Sequence, residues 1–150
     1  MSTEHFYDVA VKWKADRKGI LSSTELDNTI EVATPPEFAG GMPGIWSPEH
    51  LLVAAVNSCL MTTFLAIAEN SKLKYQGFES EAKGKLEMVD GKYMISEVTL
   101  NASVEIENEA DKDRALRVLQ KSEANCLISN SVKSKIIFEP HVKISVLHHN

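Results

Sequence analysis

The sequence has little cysteine: only Cys59 and Cys126. Two thiols are too few for a disulfide-dense secreted scaffold or a four-thiolate zinc site. They stand 67 positions apart, which is neither a CxxC pair nor a zinc-knuckle spacing. The five histidines, His5, His50, His141, His148 and His149, form no HExxH or other metal-ligand spacing. Gly40-Gly41 and Gly44 match neither GxGxxG nor GxxxxGK[ST], so no phosphate cradle is encoded. Ser47 and Ser58 lack the GxSxG elbow. Aromatics are 7% of the chain, and Trp13 and Trp46 read as packing anchors rather than base-stacking platforms. A basic excess is missing too. Sixteen Lys and Arg face 21 Asp and Glu, for a net charge of −5, which lacks the electrostatic footprint of nucleic-acid binding. The acidic excess lies in the first 50 residues, 4 basic against 8 acidic, and no charged tail is present to recruit a partner.

The 150 residues suit one domain over residues 1–150, with no repeat and no low-complexity segment. Hydrophobic residues are 43% and charged residues 25%, a globular balance. Met1 to Phe6 is polar without a basic-then-apolar signal pattern, so the expected compartment is reducing and cytoplasmic. Leu51 to Ala68 gives 18 residues without charge, at the lower edge of membrane-helix length. It contains Asn57, Ser58, Thr62 and Thr63 and is flanked by strand patterns, and it reads as a fully buried helix of a soluble protein.

Tyr7, Val9, Val11 and Trp13 alternate as in a half-buried strand, and Ala15 to Gly19 reads as a turn. Ile20–Thr24 and Thr29–Ala33 are short strands, the second stopped by Pro35-Pro36. Phe38 to Trp46 is a loop. Ser47-Pro48-Glu49 combines an N-cap, a proline at the first helical position and a carboxylate in the first turn, so a helix starts here and runs to about Asn70. Two alternating runs around Asp90-Gly91 predict a long hairpin. Asn108 caps a second helix carrying Ala115, Val118, Leu119 and Ser122 on one face, and Val142, Ile144 and Val146 make a final strand. Segregated runs of this kind predict an α+β fold.

Two side chains can carry chemistry. Cys59, in the most apolar helix, is either a packed thiol or a reactive one, and reactivity would need a cation to oppose desolvation. Cys126 is either packed or, if Asn125 caps a new turn, set at a helix N-terminus that favours thiolate. Alone, Glu49 reads as a helix-dipole partner and Arg17 as a solvated loop charge.

Taken together these residues resemble the OsmC/Ohr family, named for osmotically inducible protein C and organic hydroperoxide resistance proteins. Ser47-Pro-Glu-His-Leu-Leu-Val-Ala-Ala-Val-Asn-Ser-Cys59 resembles the family's SPEELL…AAxxxC segment, with Glu49 ten residues before Cys59. Cys126-Leu-Ile-Ser-Asn130 matches its second motif, a Cys followed by xxS and then Asn or Lys, although Leu127 stands where proline is frequent. Asp16-Arg17-Lys-Gly19 and Thr34-Pro-Pro-Glu-Phe-Ala-Gly40-Gly41 resemble the N-terminal hairpin and its TPxExGG exit.

The resemblance implies antiparallel sheets around a long buried central helix, an intertwined homodimer, and reduction of hydroperoxides, organic ones especially, by thiols. It implies Cys59 as the peroxidatic cysteine and Cys126 as the resolving one, closing to a disulfide. It also implies Arg17 and Glu49 as the charged pair that activates Cys59. A straight helix separates Glu49 from Cys59 by about 15 Å, so Glu49 would act on the arginine unless the helix breaks near Ser58. No metal or flavin is required. An external dithiol, which the resemblance suggests is a lipoylated protein, would restore the thiols; neither nucleic acid nor membrane is expected as a partner. Two other readings remain open: a non-catalytic binder of apolar ligands on the same fold, and a general thiol–disulfide exchange protein.

Overall fold

A computed structural model describes residues 3–145. Val146 of the expected last strand and His148-His149 lie outside the described residues. The chain divides into two compact units, one ending at Leu51 and the other beginning at Leu52. The α+β expectation holds.

The first unit carries a three-stranded antiparallel sheet, β1 (Ala10–Ala15), β2 (Lys18–Ser22) and β3 (Ile30–Ala33), in the order β1-β2-β3. β1 and β2 are joined by the two-residue turn Asp16-Arg17, whose Asp16 takes the left-handed conformation at φ 51°. The pairing Trp13↔Gly19 then Ala15↔Lys18 contains a bulge. β1 is exposed along its whole length, Trp13 at 74%, so the half-buried strand of the sequence reading is unburied within this chain. Its alternating apolar residues have no layer of this unit to pack on.

The helix α1 (Pro48–Asn70) begins as its sequence demands. Ser47 is fully buried, and its Oγ accepts from the His50 amide at 3.1 Å. That satisfies one of the orphan donors of the first turn. The helix continues past Ser58 without a break. By length and composition it could cross a bilayer. Its burial is one-sided, which corrects the expectation of a helix buried all round. Val56, Cys59, Leu60, Phe64 and Ala68 are buried, whereas Ser58, Met61, Thr62, Leu65 and Ala66 are exposed. This chain supplies a layer for one face of the helix only.

That layer belongs to the second unit. β4 (Gly77–Val89) and β5 (Lys92–Ile106) form the expected hairpin, with Asp90 at φ 50° and Gly91 at φ 81° in its turn, the positive values that a tight two-residue hairpin requires. β6 (Lys135–Ile144) pairs parallel with β5, from Glu97↔Lys135 to Ile106↔Ile144. The expectation of antiparallel sheets therefore holds for the first sheet only. The helix α2 (Lys112–Ala124) lies between β5 and β6, and a helical crossover returns the chain in the same direction.

Val98, Leu100, Ala102, Val104 and Ile106 of β5 are fully buried and form one core with α1 and with Ala115, Val118 and Leu119 of α2. Phe64 stacks on Phe78 at 4.9 Å and meets Tyr75 edge-on at 5.1 Å. α1 crosses the sheet closely at Gly84, where a Cβ would fall 2.5 Å from Val53 Cγ2. The Asn57 amide donates to the Ser80 carbonyl at 2.9 Å and ties the helix to β4.

Candidate active site

Cys59 occupies the buried face of α1 and is 9% exposed; Cys126, just beyond α2, is fully buried; both are free thiols. The fold brings these two sulfurs within hydrogen-bonding reach of each other. Asn125 does not cap a new turn, as the sequence reading allowed. It ends α2, its side-chain amide donating to the Lys121 carbonyl at 2.8 Å. The chain then turns tightly: the Asn130 amide donates to the Cys126 carbonyl at 3.1 Å, leading into a short 3-10 turn, Ser129–Ser131. This turn aims the backbone amides of Leu127 and Ile128 at the Cys59 sulfur.

The two thiols are polarised in opposite directions. Burial pushes the Cys59 thiol up, but the Ile128 amide, the Cys126 thiol, the Thr63 hydroxyl and the Leu127 amide together hold it below the ordinary thiol range. Thr63 Oγ1 lies 3.8 Å from Cys59 Sγ. Burial pushes the Cys126 thiol up; the Ser129 hydroxyl and amide oppose this, and the neighbouring Cys59 adds to it. Cys59 is therefore the better thiolate and Cys126 the proton-bearing neighbour.

Sequence reasoning missed these donors. Thr63 was legible as the residue one helical turn beyond Cys59. The amides were not, because every residue but proline has one and only the turn decides where it points.

Arg17 sits in the β1–β2 turn of the first unit. Its guanidinium lies over Gly40, where a Cβ would fall 3.0 Å from Arg17 Nε, and Gly40 itself is left-handed at φ 79°. The Thr34 amide donates to the Arg17 carbonyl at 3.3 Å. Gly41 has no room for a Cβ against the Pro35 carbonyl. The Thr34–Gly41 exit thus shapes the arginine's seat. Arg17 also lines a cavity of about 400 Å³ with Val11, Trp13, Val32 and Thr34.

Glu49 is in the first turn of α1, and its Oε1 is buried without a hydrogen-bond partner. Among the described residues no ion pair joins Arg17 to Glu49. No cluster of three or more His, Cys, Asp or Glu suited to a metal occurs among them either.

Residues 41–141 match the family model described as OsmC-like protein. The chain is 26% identical over 141 residues to the uncharacterised protein YmaD of Bacillus subtilis, covering 91% of each. Its fold matches that of an OsmC-like protein of unknown function from Vibrio cholerae with a TM-score of 0.82, at 21% identity, covering 91% of this chain and 99% of that one. It also matches an organic hydroperoxide resistance protein from Elizabethkingia anophelis with a TM-score of 0.76, at 21% identity, covering 97% and 100%. With its helical cysteine, its second motif and its fold in agreement with the match, the chain belongs to the OsmC-like protein family.

Proposed function

We propose that the protein is a thiol-dependent peroxidase that reduces organic hydroperoxides to alcohols. The observation that carries this reading is the meeting of Cys59 and Cys126 across 67 positions, with the Cys59 thiol held low by donors aimed at it. The fold shared with an organic hydroperoxide resistance protein supports it.

Cys59 thiolate attacks the terminal oxygen of the hydroperoxide. The O–O bond breaks, the alkoxide takes a proton and leaves as alcohol, and Cys59 becomes a sulfenic acid. Cys126 then attacks the Cys59 sulfur, a disulfide forms, and the hydroxyl leaves as water. An external dithiol reduces the disulfide by exchange. The apolar surroundings of Cys59 favour an organic hydroperoxide over hydrogen peroxide.

Arg17 supplies a cation for the developing charge on the leaving oxygen. Glu49 makes no ion pair with Arg17 among the described residues, and its buried Oε1 has no partner; in the working site it turns to that arginine and orients it through a bidentate pair. The active form is a homodimer, supported by the exposed apolar residues Met61 and Leu65 on α1 and by the uncovered β1. Free thiols at the site suit a reducing, cytoplasmic compartment.

The test is stoichiometric. Reduced protein receives one equivalent of cumene hydroperoxide or, in parallel, hydrogen peroxide. Free thiols and intact mass are followed from seconds onward. Loss of both thiols with a Cys59–Cys126 disulfide, faster with the organic peroxide, is the expected result. Two thiols still free after minutes would reject the peroxidase reading.

A further inference from the structure

Three serines surround the Cys126 turn, and one behaves differently. The Ser122 hydroxyl donates to the Val118 carbonyl at 2.6 Å and the Ser131 hydroxyl to the Leu127 carbonyl at 2.8 Å. Both bond back four residues, the habit of serine in helical turns. Ser129 does not. It is 9% exposed, and its Oγ is sealed from solvent with no hydrogen-bond partner. A buried hydroxyl left this way is costly and calls for a reason. The polar group it faces is the Cys126 sulfur, three residues earlier, which the Ser129 backbone amide faces as well.

We propose that Ser129 is a positioning residue for the resolving step: its amide faces the Cys126 sulfur, and its hydroxyl, unbonded in the resting protein, is free to donate to the thiolate that Cys126 becomes on giving up its proton, before it attacks Cys59. The inference rests on the reading of Cys126 as the thiol that closes on oxidised Cys59. In that step Cys126 gives up its proton, its sulfur bonds to the Cys59 sulfur, and the group on Cys59 leaves. Cys126 needs such help because burial works against its thiolate. A hydroxyl that bonded back to a helix carbonyl, as in Ser122 and Ser131, could not also donate to a thiolate.

The experiment separates resolution from first attack. Reduced parent protein, Ser129→Ala and Ser129→Thr are compared in two arms. In one, cumene hydroperoxide generates the Cys59 sulfenic acid, which dimedone traps and mass spectrometry counts. In the other, oxidised glutathione forms a Cys59–glutathione disulfide, whose replacement by the Cys59–Cys126 disulfide releases glutathione without any peroxide. Ser129→Ala is expected to slow disulfide closure about tenfold at neutral pH in both arms, the effect of one lost donor. Its closure rate is expected to recover at higher pH, while Ser129→Thr, which keeps the hydroxyl, closes near the parent rate.

Closure of Ser129→Ala at the parent rate would overturn the inference. So would equal slowing of both variants with an unshifted pH profile, which is the signature of a packing role. A parent inert to peroxide whose glutathione arm still depends on the Ser129 hydroxyl would remove the peroxidase reading and leave this inference standing.

Discussion

Thr63 Oγ1 stands 3.8 Å from Cys59 Sγ, four residues along the same helix. The hydroxyl donates to the thiolate better than to the thiol, so it belongs to the set of groups that hold Cys59 below the ordinary range. Thr63→Val keeps shape and removes that donor. The Cys59 titration, followed by thiolate absorbance, is expected to move up. Reaction with cumene hydroperoxide should slow roughly three- to tenfold near neutral pH, as one hydrogen bond allows. The deficit should vanish at alkaline pH, where both proteins are thiolate.

The two cysteines should separate cleanly by role. Cys59→Ser is expected to abolish peroxide consumption, because the nucleophile is gone. Cys126→Ser should still consume one equivalent and stop at a Cys59 sulfenic acid. Dimedone labelling followed by peptide mass mapping checks both. An apolar-ligand binder would be indifferent to Cys126→Ser.

Arg17 should act on the leaving oxygen. Arg17→Ala is expected to slow the first step about a hundred- to a thousandfold, the scale of one lost electrostatic stabiliser. Arg17→Lys keeps charge without the planar fork and should recover part of it. Stopped-flow loss of Cys59 thiolate under excess peroxide reads the rate directly.

Burial pushes the Glu123 carboxyl up without a compensating donor. The folded protein therefore holds this proton more tightly than the unfolded chain. The group's contribution is fully present below the ordinary glutamate range and is lost as pH rises through the raised folded value. Glu123→Gln should melt slightly higher than the parent at neutral pH, with the gain disappearing at about pH 4. By contrast Phe64→Ala, which empties the stack on Phe78, should cost about 3–5 kcal/mol at either pH by denaturant unfolding.

The exposed side of α1 gives a further check. Met61 and Leu65 are 40% and 39% exposed and share that side with Ser58, Thr62 and Ala66. Leu65→Asp should turn a protein sedimenting at twice the chain mass of 16.6 kDa into one sedimenting at once that mass. Sedimentation unchanged by the charge would place the contact elsewhere.

Most elements were legible in the sequence because their signals are local. Ser47-Pro48 fixed a helix start to the residue, and Asp90-Gly91 fixed a hairpin turn. Ala115, Val118, Leu119 and Ser122 did form the buried stripe of α2. Asn108 caps the one-turn 3-10 segment Glu109–Asp111 ahead of α2, its Oδ1 accepting from the Ala110 amide at 3.0 Å, a displacement of one turn. What the sequence hid depends on other layers. The same apolar pattern makes β1 and the far side of α1 look buried, because periodicity records the spacing of apolar residues and not whether a layer of this chain covers them. The parallel return of β6 and the aim of the Leu127 and Ile128 amides arise only when distant segments meet.

The 67 positions between the two thiols have a thermodynamic consequence. A bond between them would close a loop containing the β4–β5 hairpin and all of α2. In the chain-entropy model a closed loop of that length removes about 4 kcal/mol of freedom from the unfolded chain. By linkage, the same folded arrangement that brings the sulfurs together favours the oxidised form by the same amount. Each catalytic cycle would then alternate between a reduced protein that unfolds more readily and an oxidised one that resists unfolding. The dithiol that reopens the bond has to be a strong enough reductant to overcome the fold as well as the sulfur chemistry.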